Sequence, residues 1–514
     1  MSPAHRLVLN TLVTYARSVF GLALGLFSSR WVLNALGQSD FGLFSIVGSI
    51  LIFITFLNNL LAGSAARYFA YSIGEGKTDE VRKWFNSALS VHVCLAVILI
   101  LIGWPIGEYV ISHYINIPLG RMNAALWVFR ISLVSAFFNM ISIPFGGMFT
   151  AKQRIAELAL YGLFQSLIWF SFSYSLFYIN HDKLIVYSIG VAVIMTTFQM
   201  IIIIRALFTF RECQIRITEW LNRGRMTKMA SFACWNLIGS SGALLRDQGT
   251  ALLLNHNFGT TVNAAYGIAG NVSNQTNQLS SAMMGAFSPE ITSSEGRGDR
   301  QRMLMLAERA NKFGTILVLL FTIPLFLEMD YVLTLWLKTP PQYTAEFCKL
   351  ILTTFIIDRL TSGYMLAVAA HGKIAAYQLT VGGLLVLTLP IAWIFIKLGC
   401  SPTSVGIAFI STMILCSLER VVWMKKLMGV PMKQWIKKTL VPCITVTLIT
   451  SSIGLGFSTI LSPSLFHLIC ICILTFGTTL MASWVFAIDK NERIFLKNAI
   501  KRVFEKFKMM RLFQ

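Results

Sequence analysis

The chain has 514 residues, of which 55% are hydrophobic and only 13% are charged, and its formal net charge is +21. A water-soluble fold of this size needs more polar side chains than this to cover its surface, so the composition excludes a soluble globular protein. It is typical of an integral membrane protein.

Hydrophobic runs recur from one end of the chain to the other, with short polar breaks between them. About 20 helical residues cross a hydrocarbon core of about 30 Å, and the runs are of this length. The pattern predicts an all-α integral membrane protein of about fourteen transmembrane helices. The predicted spans are 9–33, 41–63, 86–110, 124–149, 157–179, 184–208, 229–254, 261–287, 313–336, 347–370, 374–397, 403–424, 439–461 and 465–487.

Lysine and arginine concentrate in alternate loops, as the positive-inside rule requires for cytoplasmic loops. This distribution predicts that both termini are cytoplasmic and argues against nucleic acid as the partner of the positive charge. The opposite side carries few basic residues, among them Arg121. The predicted cytoplasmic series includes Arg67, Lys77, Arg82, Lys83, Lys152, Arg154, Arg205, Arg211, Arg216, Arg223, Arg225, Lys228, Arg297, Arg300, Arg302, Arg309, Lys312, Lys373, Arg420, Lys425 and Lys426.

An offset of 222 residues aligns Gly37 with Gly259 and Gly76 with Gly298. Because the offset contains six predicted spans, the two halves have the same orientation, an arrangement suited to alternating access. A shared hairpin pattern without duplication is the alternative. The predicted organisation is a six-helix lobe at 1–210, a second six-helix lobe at 211–425, two further helices at 426–488 and a basic amphipathic cytoplasmic tail at 489–514.

Several short motifs are similar to those of polysaccharide exporters and flippases of the multidrug/oligosaccharidyl-lipid/polysaccharide (MOP) superfamily, which is related to MATE transporters. They are Ser29-Arg30, Val32-Leu33-Asn34-Ala35-Leu36-Gly37, Phe41-Gly42, Trp235-Asn236-Leu237, Arg246-Asp247-Gln248-Gly249, Asn263-Ala264-Ala265, Gly267-Ile268-Ala269 and Pro289-Glu290-Ile291-Thr292. The resemblance implies two six-helix lobes that export an undecaprenyl-pyrophosphate-linked glycan, such as O-antigen or capsule. It also implies a bacterial inner membrane, and a polysaccharide polymerase and glycosyltransferases as partners.

Charged residues inside predicted spans are costly and usually face a cavity or a partner. Five arginines and two aspartates are the candidates, and an excess of guanidinium groups suits a pyrophosphate. The alternative is a structural role, with Arg30 and Arg130 reaching towards the interface. The candidates are Arg17, Arg30, Arg130, Arg246, Asp247, Asp358 and Arg359.

Asp247 and Asp358 are also the candidates for binding a coupling ion, Na⁺ or H⁺, with simple charge compensation as the alternative. Neighbours in sequence point about 100° apart on a helix, so neither Arg246 with Asp247 nor Asp358 with Arg359 is expected to pair internally. Cross-pairing of helix 7 with helix 10, Asp247 to Arg359 and Arg246 to Asp358, is a hypothesis for a closed gate.

A polar run in helix 8 places Asn271, Asn274 and Gln278 on one face. These side chains are predicted to line a wet cavity and bind sugar hydroxyls, with interhelical hydrogen bonding as the alternative.

The short basic loops hold no paired carboxylates, nucleophile with a base, metal-ligand spacing or phosphate loop, so no enzymatic activity, metal or other cofactor is expected. The expected partners are membrane lipids and the lipid-linked saccharide. A cation-coupled multidrug antiporter and a lipid II-type precursor flippase are the alternative functions.

Overall fold

The computed structural model describes residues 3–114, 117, 120–459, 464–490 and 492–494, and in a few stretches, chiefly 3–9 and 45–60, it describes the backbone alone. The predicted amphipathic tail at 489–514 lies almost entirely outside the described residues.

The described chain folds into fourteen helical segments, α1–α14, when each of the two longest helices is counted as two at an internal bend. Pro3–Gly74 bends at Gly37 to give α1 and α2, and Arg223–Gly296 bends at Gly259 to give α7 and α8. The others are α3 (Thr78–Ile98, Leu99–Gly103 and Trp104–Tyr114), α4 (Met122–Ala151), α5 (Ile155–Ser175), α6 (Lys183–Thr209), α9 (Arg300–Leu327 and Met329–Leu337), α10 (Thr344–Arg359 and Ser362–His371), α11 (Ala375–Val386 and Thr388–Lys397), α12 (Ser404–Met428), α13 (Met432–Trp435, Ile436–Leu440 and Val441–Ser458) and α14 (Leu465–Ala482 and Ser483–Ala487).

Each of the fourteen predicted spans coincides with one of these segments, so the all-α membrane fold is confirmed. Within the described residues, 10 helices are long and apolar enough to cross a membrane, or up to 11 if the bent pair that forms α10 is one span. The two halves of α10 meet at 45°.

The two internal bends have the same backbone conformation. Gly37 has φ 79° and ψ 168°, and Gly259 has φ 83° and ψ −175°. Only glycine adopts this region readily, because a Cβ atom would clash with the backbone. Gly76 and Gly298 also match, with φ of 74° and 75°. The offset of 222 residues therefore pairs glycines of the same backbone conformation at both places.

The chain divides into two compact units. The first contains Leu9–Cys234 with Gly296–Gly298, and the second contains Trp235–Glu295 and the chain from Asp299 onward. The division thus falls at 234, whereas the sequence places the lobe boundary at 210.

In the first unit, the loop that follows α6 is held by a buried side chain of α3. The amide nitrogen of Asn86 donates to the carbonyl of Gln214 at 2.9 Å, and its oxygen accepts from the backbone N–H of Arg216 at 2.8 Å. Ser90, one turn further along α3, donates to the carbonyl of Trp220 at 2.9 Å. These bonds explain why residues beyond 210 belong to this unit.

The second unit has its main apolar core where α7, α8, α10, α11 and α12 meet, around Phe347, Leu352 and Phe409. The last two helices pack against α9, where Val446 and Ala482 contact Leu319 and Ile323 in a smaller core. Both additional helices are therefore anchored in the second unit.

Candidate functional site

A cluster of charged residues lies in the second unit at the bend of α10. Nη1 of Arg420, on α12, donates to Oδ1 of Asp358 at 2.7 Å and to the Asp358 carbonyl at 3.3 Å. The same nitrogen reaches the hydroxyl of Thr361 at 3.3 Å. Because the bend interrupts the helical hydrogen bonds, Arg420 stabilises both the carboxylate and the backbone at that point.

Arg359, the next residue along α10, joins this helix to α8. Its Nη2 donates to the side-chain oxygen of Asn277 at 2.9 Å and lies 3.4 Å from Oδ2 of Asp358. The guanidinium also packs over the ring of Phe355, 4.5 Å from its centroid. Only 8% of Arg359 is exposed, so this charge is buried and has several stabilising contacts.

Arg246, on α7, is the third arginine of the site. Its Nε donates to Oδ1 of Asp247 at 2.8 Å, and its guanidinium lies 4.6 Å from the ring centroid of Phe409. Nη1 of Arg246 is buried and has no hydrogen-bond partner among the described residues. Arg246 also interacts electrostatically with Asp358.

We call this group the arginine cluster: Arg246, Asp247, Asp358, Arg359 and Arg420. It combines three guanidinium groups with two carboxylates from α7, α10 and α12, and a third carboxylate, that of Glu419, adjoins it and balances the remaining positive charge. Glu419, next to Arg420 in sequence, is bound by the indole N–H of Trp423 at 3.0 Å. Guanidinium groups can bind an anion through bidentate hydrogen bonds, and Arg246 and Arg359 carry theirs on different helices, α7 and α10.

One prediction about this site is wrong. Arg246 does pair with Asp247, because its long side chain curls back along the helix, and Arg359 lies close to Asp358. Arg420, which the charge pattern places in the cytoplasmic series, is not among the sequence candidates for the site, yet it is 94% buried inside the unit as the main partner of Asp358. In this structure Asp358 therefore pairs with α12, and not with α7 as the gate hypothesis proposes.

The polar run of α8 is only partly involved. Asn271 and Asn274 are exposed on this helix, and the side chain of Gln278 lies outside the described residues. Asn277, which belongs to the run but was not selected as a site residue, is the one that contacts Arg359. Asn277 therefore lies on the side of α8 that faces the arginine cluster. The periodicity of polar residues along a helix does not show which neighbour a given side faces.

The three remaining candidates lie in the first unit. Arg17 lies against Gly162 of α5, where any side chain would collide with the guanidinium. Arg30 is exposed on α1. Arg130, on α4, pairs with Glu108 of α3 through a 2.6 Å contact. Glu108 lies inside the predicted span 86–110 but is not among the seven charged candidates. When it is counted, the excess of positive over negative charges inside the spans is smaller than the sequence suggested.

Known proteins provide an independent comparison. The MatE family model matches residues 17–175, which is less than a third of the chain. No curated protein sequence matches. Among solved structures, a point mutant of MATE aligns with a TM-score of 0.72 at 12% identity, over 83% of this chain and 96% of that one.

The chain has the fold of MATE transporters. A multidrug resistance MATE family transporter of the MOP superfamily, in an outward-facing conformation, aligns with a TM-score of 0.70 at 14% identity and the same coverage. A MOP superfamily transporter from Pyrococcus furiosus, described as having a binding pocket of reverse polarity that suggests a different function, aligns with a TM-score of 0.69 at 13% identity, over 83% of this chain and 96% of that one. At such identities the likeness establishes the MATE-like architecture and not the substrate.

Proposed function

We propose that this protein is a membrane transporter that moves an anionic lipid-linked saccharide by alternating access, with the pyrophosphate bound at the arginine cluster. The MATE-like fold and its internal repeat support a transporter. The positive-inside pattern supports an orientation with both termini in the cytoplasm. The bacterial inner membrane, the polymerase and the glycosyltransferases stay predictions.

The observation that carries this proposal is the buried Nη1 of Arg246, which has no hydrogen-bond partner among the described residues. A buried polar atom left unpaired is costly, and such atoms are usually satisfied by a ligand or water. The guanidinium is planar and can bind two phosphate oxygens at once. The substrate phosphate would supply the missing acceptor.

The carboxylates of the cluster are already engaged by arginines. Asp358 accepts from Arg420 and lies near Arg359, and Asp247 accepts from Arg246. A cationic drug would have to compete with these guanidinium groups for either carboxylate. The cluster therefore favours an anionic over a cationic cargo.

The two aspartates differ in exposure. The side chain of Asp358 is 20% exposed and paired, which favours charge compensation. The side chain of Asp247 is 48% exposed and has one charged partner. If transport is coupled to Na⁺ or H⁺, we assign the coupling role to Asp247 rather than Asp358.

A cation-coupled multidrug antiporter is the second candidate function. The MatE match over residues 17–175 and the multidrug transporter among the similar structures favour it. A lipid II-type flippase would use the same mechanism with another cargo. The substrate must therefore be decided by transport measurements.

The test is flux of a fluorescent undecaprenyl-pyrophosphoryl oligosaccharide in proteoliposomes, with ethidium transport measured in parallel. We expect saccharide flux in the wild type, its loss in Arg246→Ala and partial retention in Arg246→Lys. Arg205→Ala is the matched control, because Arg205 forms an exposed ion pair with Glu157 elsewhere on the chain. Ethidium transport without saccharide flux would establish the antiporter instead.

A further inference from the structure

The first unit contains a groove that the proposed transport mechanism does not use. It lies between α3, α4 and α6 and has a volume of about 430 Å³, within the range of about 300–1,000 Å³ typical of ligand sites. Most of its walls are apolar. Val134, Ile189 and Val193 line it, and their exposed fractions are 42%, 45% and 58%.

One end of the groove carries a polar group framed by two indole rings. The guanidinium of Arg130 lies 5.9 Å from the ring centroid of Trp104 and 5.5 Å from that of Trp127. Its Nε donates to Oε1 of Glu108 at 2.6 Å, and the indole N–H of Trp104 donates to the same oxygen at 2.8 Å. All three side chains are therefore held in place.

These contacts leave other atoms of the ion pair available. Among the described residues, the side-chain hydrogen bond of Arg130 to Glu108 runs from Nε, so its two terminal nitrogens can donate to a ligand. Both bonds to Glu108 use Oε1, so Oε2 can accept. Arg130 and Glu108 are 32% and 28% exposed at the side chain. Arg130 lines this end of the groove, and the carboxylate of Glu108 lies directly beside Arg130 without being one of the lining residues, so a positive and a negative site are adjacent there.

The polar end lies in the part of α4 nearest to the start of that helix. Arg130 is eight residues from the start of α4 at Met122, which corresponds to about 12 Å along a helix. The apolar part continues deeper, to Thr197 on α6. Tryptophan and arginine are typical of the membrane interface, where an apolar body meets a polar tip.

We propose that this groove binds one ethanolamine glycerophospholipid. An acyl chain lies along Val134, Ile189 and Val193, the phosphate accepts from the terminal nitrogens of Arg130, and the ammonium group donates to Oε2 of Glu108. This inference does not depend on the cargo of the transporter.

Charge complementarity selects this headgroup. An anionic glycerol headgroup would satisfy Arg130 but would place its excess negative charge beside Glu108. A choline headgroup has the right charges, but its quaternary nitrogen has no N–H to donate to Glu108. The ethanolamine headgroup satisfies both partners with charge-assisted hydrogen bonds.

The test is native mass spectrometry of the full-length protein, delipidated and then incubated with phosphatidylethanolamine, phosphatidylcholine or phosphatidylglycerol of identical chains. We expect phosphatidylethanolamine to bind at least about tenfold more tightly than the others. Glu108→Gln should remove its preference over phosphatidylcholine, and Arg130→Gln should weaken all three.

Val193→Trp and Ile189→Trp fill the groove from two positions and should each abolish binding. Ile204→Trp is the matched control, since Ile204 is 51% exposed on the same helix but outside the groove, and it should bind as the wild type does. Equal binding of the three lipids, or wild-type binding by both groove variants, would overturn the proposal. A change of oligomeric state in the groove variants, with lipid binding intact, would also overturn it and assign the groove to a second copy of the chain.

Discussion

Arg420 and Asp358 form a buried ion pair that joins α12 to the bend of α10, with Nη1 of Arg420 2.7 Å from Oδ1 of Asp358. The side chain of Arg420 is 7% exposed, and it also reaches the Asp358 carbonyl, which at the bend accepts the backbone N–H of Thr361 at 3.3 Å. This pair thus connects the fold of the second unit to the geometry of the arginine cluster.

Removing either partner should destabilise the protein strongly. Arg420→Gln leaves Asp358 with a weaker set of partners in a buried site, and breaking such a pair typically costs about 3–5 kcal/mol. The Arg420→Gln, Asp358→Asn double variant should lose less stability than the sum of the single variants, because no charge remains unpaired. Thermal unfolding in detergent measures all three.

The control for this cycle is the ion pair of Lys349 with Asp330, whose Asp330 side chain is 75% exposed. Its removal should cost no more than about 1 kcal/mol. Additive effects of Arg420→Gln and Asp358→Asn would contradict the pairing.

The two bend glycines should respond alike to substitution. Gly37→Ala and Gly259→Ala introduce no collision, since nothing lies within 4 Å of the added Cβ atom, but they force alanine into a conformation that costs about 1–3 kcal/mol. Gly25→Ala and Gly270→Ala are matched controls at open positions without a positive φ and should be neutral or stabilising. The melting temperatures of Gly37→Ala and Gly259→Ala should therefore be lower than those of Gly25→Ala and Gly270→Ala. Equal melting temperatures for bend and control variants would show that the backbone at the bends is not strained for alanine.

Arg121 should stabilise the first unit in a pH-dependent way. It binds Asp40 and Asp182, and its Nη1 lies 2.6 Å from Oδ2 of Asp182. Partial burial raises the pKa of Asp182, but the hydrogen bond and charge of Arg121 outweigh it and lower the pKa below 3.8. A lowered carboxyl pKa contributes stability above its unfolded value, and this is lost as the pH falls through the folded value.

Arg121→Gln should therefore lower the melting temperature at pH 7, and the difference from the wild type should shrink as the pH falls below about 4. Lys183→Gln, beside Asp182 in sequence, is the control and should have little effect. A difference that stays constant down to pH 3 would mean that Arg121 stabilises the fold by packing alone.

Asn277 should affect transport more than stability. Asn277→Ala removes the acceptor that positions Nη2 of Arg359, and the loss of one hydrogen bond to a charged group should lower saccharide flux by up to about tenfold. Asn257→Ala is the control, because Asn257 is exposed and, within the part of the chain that the structure describes, its side chain bonds only to the carbonyl of Leu253 on its own helix. Initial flux in proteoliposomes is the measurement. Wild-type flux in Asn277→Ala would exclude a positioning role for this residue.

The sequence predicts much of the fold because hydropathy reports directly on the membrane environment. Length and polarity alone were enough to predict the fourteen spans. The offset of 222 residues was enough to match Gly37 with Gly259, where the two bends lie. The bend at Leu360 and Thr361 is followed directly by Ser362-Gly363, a pair at which helices often kink, but the hydropathy of the span shows no break there. It depends on tertiary bonds, such as the one from Ser417 to the Ile357 carbonyl at 3.0 Å, which no local pattern reveals.

The residues of the site were predicted less completely than the fold, because the ion pairs also depend on tertiary contacts. Arg420 lies near the end of its span, where a buried arginine and a cytoplasmic one look the same in sequence. Glu108 was overlooked, although its spacing of four residues from Trp104 places both on one face of the helix. Which charges pair depends on side-chain direction, and Arg246 reaches Asp247 although their positions are about 100° apart.

The most direct test of the account is a comparison of the two classes of cargo in the same proteoliposomes. The arginine cluster predicts flux of the pyrophosphate-linked saccharide that Arg246→Ala abolishes and that added ethidium does not inhibit. Transport of ethidium without movement of the saccharide, unaffected by Arg246→Ala, would contradict the assignment of an anionic cargo to this cluster.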